Sequence, residues 1–238
     1  MPPLSAYPLV ARRCPSRRAV RHLGARKEGG AIEDIVFVKG FLSPAEQRDI
    51  VARVLRIEPG FYVPVLRNGA KMNLRMNCLG HHWSARTYKY TKVRDVDDRE
   101  AAPIPDYLQE AARRVLVETD YWHGPGPLRP FDVCIVNLYA EDGGKLGVHA
   151  DNSESAEALA SGYPVVSLSI GSTAVFTVGG LSRKDPQVPH RLESGDAVIF
   201  GRSRRLVYHG VTRLLRDTTP PGLGLPEPGR LNFTFRVL

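Results

Sequence analysis

With 238 residues and 42% apolar content, the chain is long enough to bury a sizeable core and fits one large domain better than two small ones. It has neither an apolar run of 18 residues nor the apolar core of a secretory signal, so the expectation is a soluble intracellular protein, of cytoplasm or nucleus, with no membrane partner. Cys14, Cys78 and Cys134 are too few, too scattered and odd in number for a disulfide framework or a zinc site.

The formal charge of +8 suggests a nucleic-acid partner until it is located. Arg12, Arg13, Arg17, Arg18, Arg21, Arg26 and Lys27 stand against Glu28 alone, so seven cations and one acid put +6 in residues 1–30 and leave +2 for the remainder. A nearly neutral body must recognise polyanions through local clusters, if at all. The Pro- and Arg-rich stretch 1–30 suits an organelle transit peptide, a phosphate-binding tail or a disordered arm. A disordered basic arm is the expectation, with organelle import its alternative.

After the arm, "IEDIVFVKGFLSPAEQRDIVARVLRIEPG" reads as a short strand and then a helix. Ser43, Pro44 and Glu46 give the helix a cap, a first-turn proline and an acid placed to reach back. Ile50, Val51, Val54, Leu55 and Ile57 mark its buried stripe. A second helix is expected from about Pro105 to Glu118, with Leu108, Ala111, Ala112, Val115 and Leu116 inward.

Beyond residue 130 the texture changes to "FDVCIVNLYA", "PVVSLSIG", "TAVFTVGG", "DAVIFG", "RLVYHGV" and "RLNFTFRVL". Six short strands with frequent turn signals and no helical pattern between them predict an antiparallel sandwich or barrel, best a jelly roll. The fold class is therefore mainly β with flanking helices.

Chemistry enters at "KLGVHADNSES". His149 and Asp151 are two apart, hence on one face of an extended segment, and offer a nitrogen and an oxygen to a divalent first-row metal. A second histidine would complete a 2-His-1-carboxylate face suited to Fe(II). His190, in "QVPHRLE", reads as a polar loop facing solvent. His209, in "LVYHGV", lies in an apolar strand where an unpaired imidazole is costly, and is the better third ligand. His81 and His82 alternate faces and read as surface or lid residues.

In "RLNFTFR", Leu231, Phe233 and Phe235 share one face while Arg230, Asn232, Thr234 and Arg236 share the other. The polar face is either solvated or a clamp for a dicarboxylate, since Arg grips carboxylates bidentately. Asn137 and Tyr139 in "VNLY" share a face and can add two hydrogen bonds.

These motifs together, with "NLYAEDGGKLGVHAD", "PVVSLSIGSTAVFTVGGLSRKDP" and "SGDAVIFG" in order and spacing, resemble the AlkB family of Fe(II)- and 2-oxoglutarate-dependent dioxygenases, most closely its bacterial type. The likeness implies a dioxygenase domain over 31–238: a double-stranded β-helix, a jelly-roll variant, over 130–238, preceded by N-terminal helices and a nucleotide-recognition lid at 72–100. It implies Fe(II) on His149, Asp151 and His209. It also implies 2-oxoglutarate on Arg230, assisted by Asn137, Tyr139 and Asn232, with Arg236 nearer the iron-side end and the substrate pocket. O2 is the other co-substrate and ascorbate a supporting reductant. The implied reaction hydroxylates an N-methyl group of a damaged base such as 1-methyladenine or 3-methylcytosine, releasing CO2, succinate, formaldehyde and the repaired base.

In "NCLGHHWSARTYKYTKVR", Trp83, Tyr88 and Tyr90 lie among Arg86, Lys89, Lys92 and Arg94, a pattern in which aromatics stack on an extruded base while cations hold phosphates. Arg202, Arg204 and Arg205 form a second candidate phosphate surface. The implied partner is single-stranded DNA or RNA, met by a monomeric chain.

The bacterial pattern commonly carries a second acid two residues beyond the iron Asp, where it meets the terminal Arg and helps read the base. Here that position is Ser153, which bears on base preference. Glu154 points to the opposite face in an extended segment and substitutes only if the loop turns. Two other readings stay open. One is a same-fold dioxygenase acting on tRNA, protein or a small molecule; the other is a catalytically silent nucleic-acid reader.

Overall fold

The computed structural model describes residues 20–22, 35–122 and 127–238. The rest of the basic arm lies outside the described residues. Within it, the backbone of Val20–His22 (β1) pairs antiparallel with Ile35–Val38 (β2) at a sheet edge.

The first helix, Pro44–Val54 (α1), begins as its sequence dictates. Ser43 Oγ accepts from the Glu46 N–H at 3.3 Å and Glu46 Oε2 accepts from the Ser43 N–H at 2.7 Å, so two donors orphaned at a helix start are satisfied. Arg75–Leu79 (β3), His82–Trp83 (β4) and Tyr90–Thr91 (β5) follow. The second helix, Asp106–Glu118 (α2), buries Leu108, Ala111, Ala112, Val115 and Leu116, the stripe expected at helical spacing.

The remaining strands are Val133–Ala140 (β6), Leu146–His149 (β7), Val165–Gly171 (β8), Ala174–Val178 (β9), Val188–Leu192 (β10), Ala197–Phe200 (β11), His209–Leu214 (β12) and Gly229–Arg236 (β13). A short helix, Ala156–Ala160 (α3), capped by Ser155, lies between β7 and β8. The larger sheet runs β1-β2-β11-β8-β13-β6-β3 and the smaller β10-β9-β12-β7, with every pairing antiparallel. Two antiparallel sheets of this order make the jelly roll. β4 and β5 form a separate hairpin, while β3, within the stretch 72–100, pairs with β6 in the larger sheet.

Period-two alternation gives the larger sheet two functions. On β13, Leu231, Phe233 and Phe235 are fully buried in a core shared with α1 and α2; burying such side chains contributes roughly 1.5–3 kcal/mol each. Arg230, Asn232, Thr234 and Arg236 turn the other way and line a cavity between the sheets. β6 repeats the pattern, with Cys134 and Val136 toward the helices and Ile135, Asn137 and Tyr139 toward the cavity. A second apolar cluster, including Ile35, Phe37, Phe176, Val198, Phe200 and Val211, closes the space between the sheets.

The structure corrects three readings. "QVPHRLE" is not a loop: Val188–Leu192 is a strand, at the edge of the smaller sheet, where Pro189 is tolerated. His190 is half-buried, with its ring 4.8 Å from that of Phe37. "RLVYHGV" is not a strand throughout, because a 3-10 turn at Arg202–Arg204 delays β12 until His209.

Candidate active site

Strand pairing builds the metal-ligating group. His149 ends β7, His209 begins β12, and the register makes them direct partners, with ring centroids 4.6 Å apart. Asp151 follows two residues on, buried, with Oδ1 3.6 Å from His149 Nε2 and Oδ2 3.9 Å from His209 Nε2. The three donor atoms lie within 4.8 Å of one another.

Both imidazoles are oriented alike. His149 Nδ1 lies 2.8 Å from the Gly147 carbonyl and His209 Nδ1 lies 3.0 Å from the Val207 carbonyl. A carbonyl only accepts, so each Nδ1 carries the proton and each Nε2 presents its lone pair to the centre. Burial, and then His149, push the His209 pKa down to about 4, which keeps it a neutral ligand near neutrality. Burial alone would raise the Asp151 pKa, but the charge of the Arg236 guanidinium leads the opposing effects and holds the carboxyl well below its usual range. Two imidazoles and a carboxylate form the donor set expected for Fe(II).

Beside this group lies a cavity of about 710 Å³. At one end sits Arg230, 1% exposed, donating to the carbonyls of Ser172 and Leu192 at 3.1 and 3.2 Å and to Ser169 Oγ. Among the described residues its Nε has no partner, nor does Oδ1 of buried Asn137 across the strand pair. Burial depresses the Arg230 pKa to about 10, with Tyr139 and Asp196 opposing. A buried guanidinium with an unmatched donor is costly and suits an anion; a carboxylate of 2-oxoglutarate meets that need. Close approach at this end requires Gly171, whose φ is +109° and where a Cβ would stand 2.2 Å from the Gly229 oxygen.

Asn232 lines the same cavity, but its amide donates to Ser167 Oγ at 2.8 Å and its oxygen accepts from Thr234 at 3.0 Å. Its polar atoms are thus engaged within the protein. Ser167 and Ser169 share this face and were missed, although "PVVSLSIG" announces them as polar residues alternating within an apolar run.

Trp83, Tyr88, Tyr90, Ser153 and Arg236 all line the cavity's other side. Trp83 and Tyr88 meet edge to face at 5.8 Å between ring centroids. His82, expected at the surface or on the lid, is fully buried at the hairpin's base, with Nε2 2.8 Å from Asp95 Oδ1 and Nδ1 3.3 Å from the Tyr62 hydroxyl. Arg94, counted among the lid cations, is buried and bound to Gly60 O and Asp97. Arg86, Lys89 and Lys92 remain exposed.

The Arg202, Arg204 and Arg205 surface does not hold together. Arg202 donates to the Tyr121 carbonyl at 2.7 Å, and Arg205 is buried, donating to the carbonyls of Tyr163 and Asp151 at 3.1 and 2.8 Å. Arg204 alone of the three is exposed. Cations missed from sequence stand at the cavity mouth instead: Lys71, Lys145 and Arg183, from three separate loops.

The segment after Asp151 turns. Glu154 does not point away but is buried, its Oε1 accepting from the Tyr90 hydroxyl at 3.1 Å and lying 3.3 Å from Arg236 Nε. Ser153 Oγ accepts from the Trp83 indole at 3.1 Å. The acid that the pattern lacks at Ser153 thus reaches the terminal Arg from the next residue.

Comparison with known proteins shows the family. The family model of the 2OG-Fe(II) oxygenase superfamily matches residues 34–236. The chain is 38% identical over 219 residues to the DNA N(6)-methyladenine demethylase ALKBH1C of Arabidopsis thaliana, covering 85% of this chain and 48% of that protein; it spans about half the length of such relatives. It is 32% identical over 175 residues to the alpha-ketoglutarate-dependent dioxygenase AlkB of Escherichia coli, covering 72% and 74% of the two chains. The solved structure of OsALKBH1 superposes with a TM-score of 0.76 at 34% identity, over 88% of this chain and 99% of that one. The chain belongs to the AlkB family within the 2OG-Fe(II) oxygenase superfamily.

Proposed function

We propose that this chain is an oxidative demethylase of N-alkylated nucleobases, such as 1-methyladenine and 3-methylcytosine, in single-stranded DNA or RNA. The observation that carries the reading is one cavity bounded by the His149, Asp151 and His209 group, by Arg230 and by the aromatic wall of Trp83, Tyr88 and Tyr90. Fe(II) held by His149, Asp151 and His209 would supply, with 2-oxoglutarate and O2, the chemistry that hydroxylates an N-methyl group, 2-oxoglutarate ending as succinate and CO2 and the methyl carbon as formaldehyde.

The protein's own groups position the reactants. Arg230, with Asn137 and Tyr139, receives the distal carboxylate of 2-oxoglutarate, the bidentate grip for which a guanidinium is suited. Trp83 and Tyr90 give an extruded base a stacking surface, and Lys71, Lys145 and Arg183 at the mouth meet the flanking phosphates. The assembly we propose is a monomer.

Relatives are named both for DNA and for RNA substrates, among them the tRNA demethylase abh1 of Schizosaccharomyces pombe, 30% identical over 172 residues. The test is mass spectrometry of 1-methyladenine and 3-methylcytosine in DNA and RNA oligonucleotides incubated with the protein, Fe(II), ascorbate and 2-oxoglutarate. Loss of the methyl mass supports the reading, and the DNA-to-RNA rate ratio assigns the polymer. Succinate formed with the base unchanged moves the function to another substrate, and binding without succinate moves it to a silent reader.

A further inference from the structure

Four buried charges meet at the cavity wall, where Asp151 and Arg236 line it and Glu154 and Arg205 stand behind them. Asp151 Oδ2 accepts from Arg236 Nε at 3.0 Å and lies 2.7 Å from its Nη2. Glu154 Oε1 lies 3.3 Å from the same Nε, and Glu154 Oε2 lies 3.2 Å from Arg205 Nη2, an ion pair rather than an aligned hydrogen bond. Arg205 also holds the Asp151 carbonyl at 2.8 Å. Two cations therefore share two anions, and one of those anions is a ligand of the metal group.

We propose that Glu154 is a positioning residue for both halves of the site: it shares Arg236 and Arg205 with Asp151, so that the guanidiniums do not take up the Asp151 carboxylate wholly and it is left to hold the metal, and it anchors the lid through Tyr90. The turn after Asp151 makes this possible. It leaves Ser153 lining the cavity while the Glu154 side chain is wholly buried behind it, so Glu154 acts through its neighbours rather than on the base. Without Glu154, both guanidiniums turn to Asp151, and the carboxylate's hold on a cation weakens. The lid meets the same segment twice, Trp83 at Ser153 and Tyr90 at Glu154. The aromatic wall and the metal ligand are thereby referred to one loop.

The proposal rests on reading His149, Asp151 and His209 as metal ligands. Mn(II) affinity of the full chain, measured by titration calorimetry, reads one half; tryptic cleavage after the exposed Arg86, Lys89 and Lys92 reads the other. Glu154→Gln should weaken Mn(II) binding about tenfold and speed lid cleavage several-fold. Glu154→Asp, which keeps the charge but withdraws it from Tyr90, should restore metal affinity and leave the lid loose. Tyr90→Phe should loosen the lid with metal affinity unchanged, and it decides the lid half if Glu154→Gln does not fold. A folded Glu154→Gln chain with wild-type Mn(II) affinity and wild-type lid cleavage overturns the proposal. Wild-type protein that binds Mn(II) no better than His149→Ala overturns instead the ligand reading beneath it.

Discussion

Trp83 donates its indole N–H to Ser153 Oγ at 3.1 Å, joining the lid hairpin to the segment that carries Asp151. Ser153 thus presents a neutral oxygen at the cavity wall. Ser153→Asp should keep a hydrogen-bond acceptor for Trp83 and add a negative charge facing the cavity. 1-Methyladenine and 3-methylcytosine are cationic bases and N6-methyladenine is neutral. The variant should therefore raise turnover of the cationic bases relative to the neutral one by roughly fivefold, the equivalent of about 1 kcal/mol of charge pairing. Competition assays on mixed oligonucleotides check the ratio, and an unchanged ratio refutes the assignment.

Arg230 is buried with no partner for its Nε among the described residues, so an anion bound there should stabilise the fold by linkage. With Mn(II) present, 2-oxoglutarate should raise the wild-type Tm, and Arg230→Met should abolish that rise while Mn(II) binding persists. Arg230→Lys should raise the KM for 2-oxoglutarate at least about tenfold, because an ammonium lacks the planar fork. Thermal shift and succinate assays read the two effects.

His82 ties the lid's base to Asp95 and Tyr62. Burial lowers its pKa below the ordinary 6.5, with Asp95 opposing the shift and Arg94 adding to it. The unfolded chain therefore binds more protons than the folded one between the two values. Stability contributed by neutral His82 is present above the unfolded pKa, falls as pH drops through that window and levels off below the folded pKa. The Tm advantage of wild type over His82→Gln should shrink from about pH 8 to about pH 5; an advantage that grows on acidification contradicts this.

Lys71, Lys145 and Arg183 stand at the cavity mouth on separate loops. If they meet phosphates, each replacement by Ala should reduce the slope of log affinity against log salt by about 0.7 for single strands and weaken binding alike for every sequence. Fluorescence anisotropy at several salt concentrations measures it. Replacement of Arg204, exposed but not among the residues lining the cavity, should change the slope less.

Much of this architecture is local and therefore readable. The Ser43, Pro44 and Glu46 cap, the α2 stripe and the two-faced β13 each follow from spacing along a few residues. Ser167 and Ser169 were legible in their alternation and were passed over; the rest of what escaped depends on distance or on a broken period. Strict alternation sends Glu154 outward, and only the turn after Asp151 reverses it. Arg205 reads as surface because its partner Glu154 lies 51 positions earlier in the chain. α3 is too short, at five residues, to show a helical period. The small lid strands carry two residues each, below the length at which alternation can be seen.

The central claim is that one metal site couples 2-oxoglutarate decarboxylation to demethylation of a base. The most direct measurement is the ratio of formaldehyde to succinate released on a 1-methyladenine oligonucleotide, with His149→Ala as control. The account predicts a ratio near one with wild type and neither product with the variant. Succinate without formaldehyde, or equal yields from the variant, would contradict it.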